Sequence, residues 1–288
     1  PQPDHFDPIL YPFVHGVASG DPLSDRVIIW TRLTSPSLAG TENLTWEVAT
    51  DTAMTNVVQN GSTTTTADQD WTVKVDVTGL QPGTVYYYQF TFNGRKSLVG
   101  RTKTAPTGQV DRLRFAFTSC QNFPDGYYYA WRSLAERNDD IDAVFMLGDY
   151  IYEYATGSDV DSERDPIPAK EITTLADYRA RYNQYRLDPD LRRAHQQYAF
   201  ITVWDDHEST NNSWRDGAEN HTPGAEGDWQ TRKNEAIRAY YEWLPVRVQD
   251  PSDSTRIYRS FQYGDLAELF FLDTRLYDRD EQLATQDS

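Results

Sequence analysis

The chain has 288 residues with 27 Lys and Arg against 44 Asp and Glu, so its formal net charge is −17 at pH 7. A negative field of this size repels nucleic acids and anionic membrane surfaces, and neither is an expected partner. No apolar run approaches the ~20 residues needed to cross a bilayer, so no transmembrane segment is expected. The acidic balance indicates either an ordinary solvated surface or a local attraction for divalent cations.

Cysteine and histidine are both scarce in this chain. Cys120 is the single cysteine, which excludes an internal disulfide framework and leaves three roles for it: buried filler, nucleophile or metal ligand. With five histidines in all, a histidine-rich zinc centre is disfavoured. Any metal site must therefore use mainly oxygen ligands.

The first third of the chain has the pattern of an antiparallel sandwich. Short segments within 26–104 alternate apolar and polar residues with a period of two, and turn-forming residues separate them. The predicted strands are 26–33, 44–49, 71–77 and 85–92. The turn at 77–84, followed by Tyr86 and Tyr87, resembles the corner of fibronectin-III-like domains, where a tyrosine packs across the turn. We predict an N-terminal β-sandwich domain over residues 1–106, an architecture that assigns no activity.

The remaining chain alternates strands with helices. After a bridge containing Pro and Gly at 105–109, apolar runs predict strands at 113–117, 143–147, 200–204 and 268–273. Helical patterns lie between them at 128–137, 175–182 and 229–241. This alternation predicts an α/β domain over residues 110–288.

Polar residues follow three of these predicted strands directly. The three segments are Ser119–Asn122, Gly148–Glu153 and Asp205–Glu208. Ligands of open α/β sheets bind where the strands end. A thiol, carboxylates, a phenol and an imidazole are therefore expected to meet at one edge of the sheet.

Asp149 is the candidate for a bridging metal ligand. A Gly-Asp pair alone usually indicates an ordinary turn. A carboxylate on a tight turn at a strand end can also bridge two cations ~3.5–4 Å apart, which together clamp the oxygens of a phosphoryl displacement. For Cys120, a core filler would be the usual interpretation, but its place at a strand end beside Ser119 favours a metal ligand.

The segment Asp205–Glu208 follows an apolar run directly, which argues against an exposed charged face. Carboxylates beside a histidine suit the binding of a hard cation and hydrogen bonding to an oxyanion. The alternative is a helix N-cap built from Asp205 or Asp206.

Six separated segments, in the order found here, resemble the PhoD family of alkaline phosphatases and phosphodiesterases. They are His15–Pro22, Ser119–Gln121, Gly148–Glu153, Asp188–Arg192, Trp204–Glu208 and Leu272–Arg275. The wider two-metal phosphoesterase pattern has Gly-Asp-x-x-Asp and later Gly-Asn-His-Asp/Glu. Here Tyr152 stands in place of the second aspartate and Asp206 in place of the asparagine, and both departures are typical of the PhoD branch.

The resemblance implies an α+β two-domain fold, in which the β-sandwich precedes part of an α/β/β/α metallophosphoesterase domain. It also implies an Fe(III) held by Cys120, Asp149 and Tyr152. A Ca(II) site would face Asp149, Asp206 and Asn212. The ligand types agree with these cofactors, since thiolate and phenolate suit a trivalent transition metal whereas carboxylate and amide oxygens suit calcium.

His207 and Asp206 are the candidate catalytic residues under this resemblance. His207 is similar to the family's histidine that stabilises the transition state or assists the leaving group. Its alternative role is only to orient a neighbouring carboxylate.

The expected function is metal-dependent hydrolysis of phosphate monoesters or diesters. Two alternatives remain: a calcium-dependent phospholipase D acting on phospholipid headgroups, and a surface-binding module without catalysis. Complete family members continue past a segment like Leu272–Arg275 and supply further ligands, so a second polypeptide carrying the C-terminal part of the domain is expected. The resemblance also implies a secreted protein whose signal peptide has been removed.

Overall fold

The structure is a computed structural model, and it describes residues 6–137, 140–157 and 164–283. The outermost residues of the two predicted domains, 1–5 and 284–288, lie outside the described residues. The described chain combines helices with several sheets. The mixed α and β content is thereby confirmed, whereas a fibronectin-like N-terminal domain stays a prediction.

Fifteen strands and four α-helices lie in the described residues. The first eight strands are β1 (Val17–Gly20), β2 (Arg26–Arg32), β3 (Thr41–Ala49), β4 (Val57–Thr66), β5 (Thr72–Thr78), β6 (Val85–Phe92), β7 (Arg95–Lys96) and β8 (Gly100–Lys103). The later strands are β9 (Phe115–Thr118), β10 (Ala143–Leu147), β11 (Ala199–Val203), β12 (Ser213–Trp214), β13 (Gly217–Ala218), β14 (Arg259–Tyr263) and β15 (Ala267–Phe271). The helices are α1 (Tyr129–Arg137), α2 (Leu175–Leu187), α3 (Pro189–Gln197) and α4 (Trp229–Trp243).

The predicted elements all have a counterpart within a few residues, and β6 and β10 have the predicted bounds. Among the elements without a predicted counterpart are β1, β4, β14 and α3. None of the helices in the described part of the chain has the length and apolarity required to span a membrane.

One six-stranded sheet joins strands from both predicted domains, in the order β5, β2, β1, β11, β10, β9. The first three strands pair antiparallel and the last three parallel. The two halves meet where β1 pairs parallel with β11, with Ser19 opposite Ala199 and Gly20 opposite Phe200. Gly20 is required there because a Cβ would lie 2.4 Å from the Pro245 carbonyl oxygen. This sheet therefore crosses the predicted boundary between the two domains, and the sequence did not indicate that pairing because strands distant in the chain leave no shared periodic signal.

The second sheet packs on the antiparallel half of the first. Its order is β4, β3, β6, β7, and β8 pairs with β6. Every second residue of β6 from Tyr86 to Phe92 is buried, as a period of two predicts, in a core that includes Val27 and Ile29 of β2. The Tyr86 hydroxyl accepts a hydrogen bond of 2.8 Å from the Gln81 amide, so a tyrosine packs across this turn as the sequence indicated.

Helices α2 and α3 are consecutive, and capping residues begin each of them. Thr174 and Asp177 form a capping box at the start of α2. Asp188 directly follows α2, and its side chain accepts hydrogen bonds from the backbone nitrogens of Asp190 and Leu191, at 3.0 and 3.2 Å. Together with the proline that follows it, Asp188 begins α3. The segment Asp188–Arg192, one of the six that carry the resemblance, therefore has a structural role in the chain.

A buried ion pair connects the six-stranded sheet to the β14–β15 hairpin. Asp21 directly follows β1 and is fully buried. Arg259 of β14 donates to both of its carboxylate oxygens, at 2.7 and 3.1 Å. The backbone nitrogen of Arg247 donates to the same carboxylate at 2.7 Å.

Substituting Asp21→Asn should lower the free energy of unfolding by about 3–5 kcal/mol, because Arg259 would stay buried without its countercharge. Asparagine tolerates the positive φ of 44° at this position. The matched control is Asp25→Asn, whose more exposed ion pair with Arg26 should contribute less than about 1 kcal/mol. Urea unfolding followed by tryptophan fluorescence measures both changes, and equal losses in the two variants would contradict the assigned role.

Candidate metal centre

The carboxyl ends of three neighbouring parallel strands bring the predicted site residues together. Cys120, Asp149 and Asp206 each lie within three residues of the end of β9, β10 or β11. Hydrogen bonds also join the first two turns, from the Cys120 backbone nitrogen to the Gly148 carbonyl (3.2 Å) and from the Gln121 backbone nitrogen to the Asp149 carbonyl (3.1 Å). Polar side chains from separate parts of the sequence thus meet at one sheet edge, as expected for an α/β domain.

Three of the predicted ligands meet at the Asp149 carboxylate. The Cys120 thiol lies 3.3 Å and the Tyr152 hydroxyl 3.2 Å from the same oxygen, Oδ2. Asp149 and Cys120 both have positive φ, 56° and 59°, a conformation that is uncommon for non-glycine residues and concentrated at functional sites. The three side chains are adjacent, and their role as metal ligands stays a prediction.

Glu208 holds two of these turns against each other through backbone amides. Its buried carboxylate accepts hydrogen bonds from the backbone nitrogens of Asp149 (3.1 Å), Tyr150 (2.6 Å) and Asp205 (2.9 Å). Gly148 permits the close approach, because a Cβ there would lie 2.5 Å from the Asp205 backbone nitrogen. The position of Asp149 is therefore set by main-chain hydrogen bonds that do not involve its own carboxylate.

Asp206 and His207 complete a compact group with Asp149. Each of the three residues offers a ligand atom, and these atoms lie within 4.8 Å of one another. The His207 ring stacks on Tyr152 with centroids 4.2 Å apart, and its Nδ1 lies 2.7 Å from Glu153 Oε2. Burial alone would lower the pKa of His207, but Glu153 and the charges of Asp206 and Asp149 raise it to about 9. The imidazole is thus held in one orientation and favours its protonated form.

Glu153 is the buried anchor of His207. It also accepts hydrogen bonds from the Thr210 hydroxyl (3.0 Å), the Asn211 backbone nitrogen (2.7 Å) and the Asn220 side chain (2.9 Å). Burial raises the pKa of Glu153, but His207 and these donors outweigh that effect and hold it below its ordinary value. Glu153 therefore stays ionised and binds His207 through Nδ1, leaving Nε2 for other contacts.

The electrostatics of the group fit a bound cation. Burial raises the pKa of Asp149, and the charges of Asp206 and Asp205 raise it further against the opposing effect of His207. Burial and the Asp149 charge also raise the pKa values of the Cys120 thiol and the Tyr152 hydroxyl. Asp149 Oδ1 is buried and has no hydrogen-bond partner among the described residues. A metal ion would pair with this oxygen and favour deprotonation of all three ligands.

Asn212 contacts this group through its backbone. Its backbone nitrogen donates to Asp206 Oδ2 at 2.5 Å, whereas its side-chain nitrogen donates to Glu219 at 2.5 Å. The structure thus places Asn212 beside a predicted ligand, and the bond to Glu219 uses its side-chain nitrogen and not the oxygen that would bind calcium. Its role as a calcium ligand stays a prediction, with less support than the others have.

Two alternative interpretations of the sequence are wrong. Cys120 is exposed and is not a core filler. No helix begins at Asp205 or Asp206, because the segment after β11 forms a turn. Asp206, His207 and Glu208 are all buried, which agrees with the argument against an exposed charged face.

Arg275 belongs to the site although it was not among the predicted site residues. Its Nε lies 2.5 Å from Asp205 Oδ1 and its Nη2 lies 3.4 Å from Asp206 Oδ1. Its Nη1 is buried without a hydrogen-bond partner in the described part of the chain. The signal was its place in Leu272–Arg275, at the end of the predicted strand 268–273, but sequence spacing does not show which carboxylates an arginine meets.

Substituting Glu208→Gln should lower the free energy of unfolding by about 1–3 kcal/mol, because glutamine offers one acceptor oxygen to three backbone N–H groups. The displaced turns should also weaken metal binding at Asp149. The control is Glu268→Gln on the exposed side of β15. Thermal melting and calcium titration calorimetry measure the two effects, and a Glu208→Gln protein that matches the control in both would refute the bracing role.

Comparisons with known proteins agree with this arrangement. Residues 115–288 match the family model of the PhoD-like phosphatase, and residues 3–106 match that of the PhoD-like phosphatase N-terminal domain. The chain is 40% identical over 284 residues to alkaline phosphatase D of Bacillus subtilis (strain 168), covering 94% of this chain and 48% of that protein. A solved structure of PhoD superposes with a TM-score of 0.87 at 39% identity, covering 94% of this chain and 53% of that one. The chain spans about half the length of the relatives it matches, and it belongs to the PhoD-like phosphatase family.

Proposed function

We propose that this chain carries the centre of a metal-dependent phosphoesterase that hydrolyses phosphate monoesters or diesters. The observation that carries the proposal is the group formed by Asp149, Asp206 and His207, whose ligand atoms lie within 4.8 Å of one another. The thiol of Cys120 and the hydroxyl of Tyr152 lie against the same Asp149 oxygen. Membership of a phosphatase family supports the same reaction class.

The proposed ligands divide into two sets that share Asp149. Cys120 and Tyr152 would hold Fe(III) with it, because thiolate and phenolate suit a trivalent transition metal. Asp206 and Asn212 would face Ca(II), which prefers carboxylate and amide oxygens. The buried, unpartnered Oδ1 of Asp149 supports a bridging role for this carboxylate.

When bound, the two metal ions would supply Lewis acidity for the phosphoryl group. The chain's own residues hold a proton on His207 and fix the orientation of its ring. His207 is fixed through Nδ1 by Glu153, so Nε2 is the atom that can donate to a phosphoryl or leaving-group oxygen. Glu153 raises the pKa of that imidazole most and Asp206 adds to the effect, while the Asn212 backbone nitrogen donates to Asp206. The buried Nη1 of Arg275 offers one further donor beside Asp206.

One apolar face of the parallel half of the six-stranded sheet is only partly covered by the described residues, where the β14–β15 hairpin packs on Phe145. Phe117 of the edge strand β9 is 76% exposed, and Leu147 lies on the same face of β10. Phe270 and Leu272 in and after β15 are 68% and 65% exposed. Parallel sheets are usually covered on both faces. We propose that a second polypeptide, equivalent to the part of alkaline phosphatase D outside the match, covers this face and supplies further metal ligands.

The proposed organisation assigns catalysis to residues 110–288 and a supporting, fibronectin-like role to residues 1–106. Support comes from the location of the candidate ligands, all of which follow residue 109, and from the two separate family matches. Secretion of the protein rests on the resemblance stated above. The comparisons favour neither the phospholipase D alternative nor a surface-binding module without catalysis.

Substituting Asp149→Asn should abolish phosphoester hydrolysis and release both metals together, since one carboxylate would serve two sites. Elemental analysis of the purified protein measures iron and calcium, and release of phosphate from a soluble monoester measures turnover. Asp111→Asn, at an exposed position, should leave both unchanged. Retention of either metal at its full content in the Asp149→Asn protein would disprove the bridge.

Substituting Tyr152→Phe should remove the phenolate-to-Fe(III) charge-transfer band and leave the weaker colour of the Cys120 thiolate, while the fold stays intact because the ring stack on His207 is kept. Tyr154→Phe is the control, since that ring also lies beside His207, at 5.3 Å, but is not a proposed ligand. Resonance Raman spectroscopy identifies the phenolate band by its ring vibrations, and phenolate vibrations that survive in the Tyr152→Phe protein, or colour without iron, would require a different metal assignment.

A further inference from the structure

A fully buried guanidinium lies near the candidate metal centre without a countercharge. Arg186 is next to the last residue of α2 and has no exposed surface. None of its three side-chain nitrogens makes a hydrogen bond of standard geometry within residues 6–137, 140–157 and 164–283. The Tyr150 hydroxyl lies beside it, but no carboxylate of these residues forms an ion pair with it. Its charge rests against the Trp30 ring, 4.5 Å from the centroid. A buried charge without a partner is strongly unfavourable, so this arrangement calls for a compensating group.

Three further polar side chains around Arg186 are buried and incompletely bonded. Ser19, Tyr88 and His195 have no exposed surface, and Ser19 Oγ, Tyr88 OH and His195 Nδ1 lack hydrogen-bond partners in the described chain. The Tyr88 hydroxyl neighbours both Ser19 and Arg186. Burial lowers the pKa of His195, and Arg186 lowers it further. All three groups can donate a hydrogen bond, so the surroundings of Arg186 are rich in donors.

None of the described side chains around Arg186 supplies a negative charge to balance the guanidinium. Burial raises the pKa of Tyr150 to about 12 in spite of Arg186. Burial likewise raises the pKa of Tyr88. Both phenols therefore stay neutral, and the neutral imidazole of His195 adds no charge of either sign. Among the described residues, the positive charge of Arg186 therefore has no compensating negative charge.

We propose that a small monovalent anion, of the size of chloride, binds among Arg186, Ser19, Tyr88 and His195. One guanidinium suits a single negative charge, and the donors around it replace the hydration shell of the anion. Complete burial of all four residues suits a monatomic ion better than a phosphate. This site is separate from the proposed substrate site.

The anion would stabilise the turn that carries Asp149, through contacts that run from His195 to Tyr150. The Tyr150 hydroxyl lies 2.8 Å from His195 Nε2. The Tyr150 backbone nitrogen donates to Glu208, and Tyr150 directly follows Asp149 in the chain. A filled anion site would therefore stiffen the residue next to the proposed bridging ligand.

The test is thermal melting of the full chain in sodium chloride or bromide against sodium gluconate at equal ionic strength and fixed metal content. The melting temperature should be higher in the halide by about 5 °C or more when the site is saturated. Arg186→Gln should abolish this difference, whereas the control Arg193→Gln, half-exposed on α3, should keep it. A native protein with equal melting temperatures in halide and gluconate, or a difference that persists in Arg186→Gln, would overturn the proposal.

A second measurement does not depend on the variant folding. Crystals of the unmodified protein grown in bromide should give an anomalous scattering peak in contact with the Arg186 guanidinium. Density that refines only as water at this position, or no density, would equally overturn the proposal, because water does not neutralise the charge.

Discussion

Burial and two neighbouring carboxylates disfavour the charged form of the Asp149 carboxylate, and His207 opposes them. Burial and the neighbouring carboxylates Asp206 and Asp205 raise its pKa, and one of its oxygens has no partner in the described chain. Such a site is unfavourable unless another part of the molecule fixes its geometry. Glu208 does this by binding three backbone N–H groups of the converging turns. Main-chain hydrogen bonds thus fix the turn that carries Asp149, so this proposed ligand would be in position before a cation binds.

Buried charged groups are also held by specific partners where strands from distant parts of the chain meet. The pairing of β1 with β11 makes one sheet out of both predicted domains, and the Asp21–Arg259 ion pair joins that sheet to the β14–β15 hairpin. Because these charges are buried, each requires its partner, and the N-terminal region becomes part of the support of the metal centre. Arg186 is the exception, and its unpaired charge is the reason to expect a ligand there.

Much of the site could be predicted because strand ends are visible in the sequence. Apolar runs ending at 117, 147 and 204 are followed directly by the thiol, the carboxylates and the imidazole, and parallel strands bring such ends to one edge. Glu153, Glu208 and Arg275 were not predicted as site residues. Their roles come from which backbone amide or carboxylate they reach, and a contact between residues 54 to 70 positions apart, as in His207 with Glu153 or Arg275 with Asp205, has no local pattern.

Local chemistry along the chain therefore predicted eight of the fifteen strands and three of the four α-helices in the described residues. It also indicated the family and the residue types that meet at one sheet edge. Periodicity and residue type are properties of neighbours in sequence, so they can be determined without knowledge of the fold. The pairing of β1 with β11, the exposure of Cys120, the side-chain engagement of Asn212 and the isolation of Arg186 required the folded chain. Each of these is set by which distant atoms fill the space around a group, and packing of that kind is a property of three-dimensional neighbours alone.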